Sequence, residues 1–177
     1  MTIRTDVVDS LAAAFRAACQ DLLGRHQEHF YYITFVVPEG FARPVLSAWS
    51  WEALNRRAST APEMEVAKKM LKWSYADSPY YNFGEGKLKS IEKYFKAGAQ
   101  LYDLNAAELE KEVNYRVDSV EAAVKRLDSE GVFGTGKARN RIAVLVEVMP
   151  PDHSNTRRGI RLNPPEAIAN WLSEAAE

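Results

Sequence analysis

Apolar residues recur at three- and four-residue steps near the start of the chain: Val8, Leu11, Phe15, Ala18 and Leu22, with Ala12, Cys19 and Leu23 beside them. That spacing predicts an amphipathic helix from about Asp6 to His26. Thr5 or Asp6 is placed to cap its first N–H groups, and Arg25 and His26 suit the negative end of its dipole. The pattern then changes. Phe30 to Val37 is β-branched or aromatic at successive positions, Tyr31, Ile33, Phe35 and Val37 on one face and Phe30, Tyr32, Thr34 and Val36 on the other. A strand apolar on both sides is expected to be central or covered by helices. Pro38, Gly40 and Pro44 break it. Val45 to Trp51 reads as a second strand, with Val45, Ser47, Trp49 and Trp51 facing one way, joined to the first as an antiparallel hairpin across a seven-residue loop.

Glu52 to Arg57 is short enough for a two-turn helix. Thr60-Ala61-Pro62-Glu63 has the form of a capping box, with Pro62 where its missing N–H costs little. The helix it opens carries Met64, Ala67, Met70 and Leu71. Trp73 to Phe83 is aromatic and irregular; a strand over part of it stays open, although Pro79 interrupts it. A helix from about Lys87 to Tyr102 follows, with Leu88, Ile91, Phe95 and Ala99 inward. Asn105 with Glu108 repeats the capping box and opens the longest helix, Ala106 to Glu130, on the stripe Leu109, Val113, Val117, Val120, Val124 and Leu127. Gly131 supplies a C-terminal cap of positive φ. Ile142 to Met149 reads as a strand, Pro150 and Pro151 stop it, and a polar loop is expected through Arg158. Asn163-Pro164-Pro165-Glu166 launches a final helix with Ala167, Ile168, Trp171 and Leu172. The expectation is a single α+β domain over residues 1–177, a small and mostly antiparallel sheet packed by several helices, in the order α-β-β-α-α-α-β-α.

The balance of charge narrows the partners. Lys and Arg number 23 against 24 Asp and Glu, a formal charge of −1. A dedicated nucleic-acid binder needs a basic surface to displace counterions, so nucleic acid is not the expected partner. Strongly acidic mimics of DNA are disfavoured by the same balance. One cysteine, Cys19, excludes an internal disulfide and a cysteine-rich zinc site. The N-terminal residues hold Arg4, Asp6 and Asp9 with no apolar core of signal-peptide length, and no run reaches the ~20 apolar residues that span a bilayer. The cytoplasm is the expected compartment, with no membrane contact.

Candidate chemistry is sparse. Gly131-Val132-Phe133-Gly134-Thr135-Gly136-Lys137 matches the first seven positions of a phosphate-binding loop, but Ala138 stands where Ser or Thr would hold Mg²⁺. It also ends a helix and precedes a strand, the reverse of the required context, and reads as a Gly-rich turn. His26 and His29 straddle a helix end and a strand start and lack a third ligand. His153 lies in Pro151-Asp152-His153-Ser154, whose neighbouring side chains cannot converge as a catalytic relay. Cys19 sits on the apolar stripe, where a thiol behaves as a small hydrophobe. Glu108 and Glu112 read as solvated, as does the basic run Arg157-Arg158-Gly159-Ile160-Arg161. No catalytic set, metal site or cofactor site emerges.

The aromatic set stands apart: Trp49, Trp51, Trp73, Tyr75, Tyr80, Tyr81 and Phe83. Such side chains bury much area in a core and also anchor interface hot spots. Between Trp73 and Gly86 they mix with Asp77, Asn82 and Glu85 and with chain breakers, the composition of a groove-lining loop.

The order of elements, together with His29-Phe30-Tyr31-Tyr32 after a long helix, Lys72-Trp73-Ser74, Leu127-Asp128-Ser129-Glu130-Gly131-Val132-Phe133-Gly134 and Leu162-Asn163-Pro164-Pro165-Glu166, resembles a bacterial family of α+β domains of unknown function. The resemblance covers the whole chain and carries no known catalytic residues. Small α+β families of this sort often include immunity proteins, which neutralise a toxin by binding it, so the resemblance implies a binding role. The leading expectation is a non-enzymatic module that engages a protein partner, as an immunity or accessory factor, through Trp49, Trp73, Tyr75 and Tyr80 as anchors and Asp77 as the orienting charge. The alternatives are an enzyme or small-ligand receptor assembled from distant residues such as His153, Glu147 and the Arg157 to Arg161 run, and a structural, self-associating subunit.

Overall fold

The structure, a computed structural model, describes residues 3–95, 101 and 103–177. Helix α1 (Thr5–Arg25) buries Leu11, Phe15, Ala18, Cys19 and Leu22, the face its periodicity requires. Neither Thr5 nor Asp6 caps it. The N-cap is Arg4, whose guanidinium donates to Asp6 at 3.0 and 2.7 Å, so that carboxylate is occupied outside the helix. Strands β1 (Phe30–Val37) and β2 (Val45–Ser50) pair antiparallel, with Thr34 opposite Ser47. Strand β3 (Ala143–Val148) pairs with β1 in parallel, with Phe35 opposite Val146. The sheet order is β2-β1-β3. Every residue of β1 is buried, as expected of a central strand covered on both sides.

Strand β2 ends one residue early, because Ser50 becomes the N-cap of α2 (Trp51–Ala58) and its hydroxyl accepts from the Ala53 N–H at 2.9 Å. Helix α3 (Met64–Leu71) starts too late for the Thr60 capping box. Its N-cap is Glu63, with no side-chain cap, and the Thr60 hydroxyl donates instead to the Arg57 carbonyl at 2.9 Å. After turns through Phe83 comes α4 (Glu85–Leu88), which runs into a 3₁₀ turn, Lys89–Tyr94. Gly84 enters α4 with φ +70, where a Cβ would lie 2.9 Å from the Ala18 Cβ, so both backbone and α1 demand glycine. The remainder of the helix expected from Lys87 to Tyr102, residues 96–100 and 102, lies outside the described residues.

Helix α5 (Ala106–Ser129) begins with a complete capping box: Asn105 Oδ1 accepts from the N–H groups of Ala107 and Glu108, and Glu108 accepts from the Asn105 N–H. Val117, Val120, Val124 and Leu127 are buried, and Gly131 follows with φ +76. The glycines after it form turns, so the phosphate-loop resemblance ends in a helix-to-strand connection. The polar loop expected through Arg158 is instead a helix, α6 (His153–Leu162), capped by Asp152, which accepts from the Ser154 N–H at 2.7 Å. It adds one helix to the expected order before α7 (Pro165–Glu174).

Two faces of the sheet result. Ile33, Phe35, Val144 and Val146 face α1 and α5 in a dry layer, where Phe15 and Phe35 rings approach to 4.3 Å. The other face carries Tyr32, Thr34, Ser47, Trp49 and Glu147, all buried, beneath the 73–83 segment and the last two helices.

Candidate functional site

The site grows from the point where β2 hands over to α2. Because Ser50 caps the helix, Trp51 turns out of the sheet and remains 43% exposed. Its ring stacks on Tyr31 with centroids 4.1 Å apart. Tyr31 in turn meets Trp73 edge-on at 5.4 Å, and Trp73 meets Tyr32 edge-on at 5.6 Å. The Tyr31 hydroxyl donates to the Lys72 carbonyl at 2.6 Å, which ties the end of α3 to the sheet; burial pushes that hydroxyl well above the ordinary tyrosine range.

Glu174 of α7 closes the arrangement. Its carboxylate accepts from Lys72 Nζ at 2.9 and 2.8 Å and from Trp73 Nε1 at 2.8 Å. The lysine first, then the indole, hold it below the usual carboxylate range. Lys72 Nζ also lies 5.5 Å from the Trp51 ring centroid and 5.1 Å from that of Trp73, within cation–π range. Trp73 is thereby fixed on three sides, and Trp51 leans on a fixed partner.

This aromatic wall is shared by two clefts. One, of about 510 Å³, has Tyr31, Trp51 and Trp73 on its apolar side and His29, Arg141 and Glu166 among its polar groups. The other, of about 590 Å³, lies between α2, α3 and α7 and is lined by Trp51, Leu54, Lys68, Lys69, Lys72 and Glu174 among others. Beside the first cleft, His29 is committed to Glu52: its N–H donates at 2.9 Å and its Nδ1 lies 2.6 Å from the carboxylate, which these contacts pull down to about 2. Glu28 is also engaged, by Arg56 and Tyr80 at 2.7 Å each and by the Ser50 hydroxyl.

Of the five residues singled out from sequence, only Trp73 lines these clefts. Trp49 has no exposed surface, and its Nε1–H donates to the Ser74 carbonyl at 2.8 Å; it is a core side chain pinning the segment above it. Tyr80 is buried against His26 and Phe30 and spends its hydroxyl on Glu28. Tyr75 is half-buried beside Tyr81, and Asp77 is exposed, accepting from the Ser74 hydroxyl at 2.5 Å. Sequence reasoning missed Tyr31, Trp51, Lys72 and Glu174 as a group. The available signal was Ser50, an N-cap residue type directly before Trp51-Glu52, which ends the strand before the second indole.

The residues of the alternative enzymatic set line neither cleft. Glu147 is buried and accepts from the Tyr32 and Thr34 hydroxyls at 2.6 Å each, with its carboxyl raised by burial. Arg158 is buried, donating to the Val146 carbonyl at 3.0 Å, and Arg161 is paired with Glu121 at 3.0 and 2.7 Å. His153 is exposed at the start of α6. The buried Cys19 thiol is pushed up to about 12. Among the described residues no three His, Cys, Asp or Glu side chains are grouped to hold a metal ion. No described helix is long and apolar enough to cross a membrane.

Residues 11–164 match the family model described as Domain of unknown function (DUF4303). The chain belongs to that family. The matched stretch includes Tyr31, Trp51, Lys68, Lys69, Lys72 and Trp73, whereas Glu174, which anchors Lys72 and Trp73, lies beyond it. No curated protein and no solved structure matches the chain.

Proposed function

We propose that this DUF4303 chain is a non-enzymatic protein-binding module, working as an immunity or accessory factor, whose contact surface is centred on Trp51 and Trp73. The observation that carries this reading is Trp51 itself. It is a large indole, 43% exposed, stacked on Tyr31 at the boundary of two clefts. A rigid, half-exposed aromatic loses little side-chain freedom on binding and offers much area, the profile of an interface anchor. Trp73 acts with it as the inner wall. Tyr75 and Asp77 fall on the flank, and Trp49 and Tyr80 support the surface from below.

The test is affinity purification of the tagged chain and its Trp51→Ala variant from lysate of the native host, with mass spectrometry and a melting curve for each. The expected result is one stoichiometric protein retained by the wild type and lost by the variant. The variant should remain folded, at a cost of about 1–2 kcal/mol for the lost stacking and area. Retention of no protein by the wild type, or equal retention by both forms, overturns the reading.

A further inference from the structure

The two clefts differ in what their charges leave over. In the first, Arg141 and Glu166 have opposite signs and neither has an ion-pair partner among the described residues. In the second, both carboxylates are already engaged: Glu65 with Lys68 at 2.9 Å and Glu174 with Lys72 at 2.8 Å. The third ammonium, Lys69, is exposed and has no ion-pair partner among the described residues. The second cleft therefore presents a net positive rim over an apolar floor of Leu54, Trp51 and Trp73.

Helix α3 extends this surface outward. It buries none of its residues. Glu65, Lys68, Lys69 and Lys72 follow the i, i+3, i+4, i+7 spacing of one helical face and line the cleft. Val66 and Met70, one turn apart and flanking Lys69, are 50% and 76% exposed. An amphipathic helix is stabilised in a fold by burying its apolar positions, and here two of them face solvent beside an unpaired cation.

From this juxtaposition we infer that the cleft between α2, α3 and α7 receives an acidic, amphipathic segment of a partner protein, its carboxylates toward Lys69 and its apolar side chains against Leu54, Trp51 and Trp73. This rests on the protein-binding reading above and specifies the partner's chemistry. A nucleic acid fits less well: the phosphate backbone would pass Glu65 and Glu174, and the chain as a whole carries a charge of −1.

The probe is a synthetic amphipathic peptide of Glu and Leu, compared with its twin bearing Lys for Glu and with oligothymidylate, titrated into the whole chain. Binding is followed by backbone amide shifts along α3 and by tryptophan fluorescence. The Glu peptide is expected to saturate, to shift residues 64–72, and to weaken with added salt. Lys69→Glu, an exposed change that leaves the fold alone, should weaken it about tenfold and let the Lys peptide bind instead. Equal binding of the Glu peptide to wild type and variant overturns the inference. So does tighter binding of the Lys peptide or oligothymidylate to the wild type, or no saturation by about 1 mM Glu peptide. If the natural partner needs Trp51 but is indifferent to Lys69→Glu, the acidic-segment inference falls while the binding-module reading stands.

Discussion

The two edges of the sheet are closed in different ways. At the β3 edge the outward backbone groups are taken by side chains of α6 and the residue after it. Asn155 pairs with the Val148 N–H at 2.8 Å and its carbonyl at 3.2 Å, Arg158 donates to the Val146 carbonyl, and Asn163 pairs with the Val144 N–H at 2.8 Å and its carbonyl at 2.7 Å. At the β2 edge the work is shared with irregular backbone: the Phe83 N–H donates to the Leu46 carbonyl at 3.0 Å and the Ser78 hydroxyl to that of Ala48. An open edge is a template for unwanted pairing, and both solutions remove it. The difference lies in redundancy. The first edge depends on a few buried polar side chains that also bond one another, as Arg158 does to Asn155 at 2.6 Å. The second depends on a wrapped segment with several separate ties, including Trp49 to Ser74 and Ser47 to the Tyr75 carbonyl at 2.7 Å.

The sharpest way to break the comparison is Asn155→Leu. It keeps the branched shape but enlarges it, and it strands the Val148 N–H and carbonyl and one Arg158 N–H in a buried place, so a loss of about 3 kcal/mol or more is expected. Urea denaturation checks it. A loss under about 1 kcal/mol would mean that water or a shifted Arg158 replaces the amide, and that this edge is as redundant as the other.

Ser78→Ala probes the β2 edge and should cost less, about 1–2 kcal/mol. It frees the Ala48 carbonyl and the Tyr80 N–H, which donates to the Ser78 hydroxyl at 3.0 Å, but leaves the Trp49, Ser47 and Phe83 ties in place. The same urea measurement compares the two variants. A cost equal to or greater than that of Asn155→Leu would reverse the ranking of the edges.

The contrast also explains what the sequence disclosed. Helices α1 and α5 were legible because their buried faces are apolar at helical spacing, and Asn105 with Glu108 marked the start of α5. Helix α6 was not, because its buried face is Asn155, Arg158, Gly159 and Leu162. The spacing is helical, but polar residues hide it from a reading based on hydrophobicity. Gly159 deepens the disguise: a Cβ there would stand 3.1 Å from Leu145 Cδ2 and 3.3 Å from the Trp171 ring, so close packing, not a turn, favours glycine. The aromatic 73–83 segment, whose composition leaves strand and loop both open, is a run of turns, and which indole faces outward depends on where β2 stops. Ser50 decides that by capping α2, which buries Trp49 and exposes Trp51.

The finest test separates the sheet's polar face from its edges. Glu147 lies on β3, but its carboxylate points to Tyr32 and Thr34 across the face rather than outward. Burial raises its carboxyl above the ordinary 4.5, the two hydroxyl bonds only partly opposing this; Arg158 favours the charged form and Glu177 the neutral one. A carboxyl with a folded value above its unfolded one favours folding most when protonated in both states. Its contribution is present below about pH 4.5 and is lost as pH rises through the folded value. Glu147→Gln has no proton to lose, while the amide oxygen can still accept from both hydroxyls. The variant should therefore match the wild type in acid and gain on it as pH rises, levelling off once Glu147 is ionised, with an effect smaller than that of Ser78→Ala. Paired urea curves from pH 4 to 8, taken as the difference between the two proteins, cancel the other carboxylates, whose lowered values slope the opposite way. A difference that shrinks with rising pH would show that Arg158 governs the site and that the buried carboxylate is ionised in the fold, extending the side-chain network of the β3 edge across the face of the sheet.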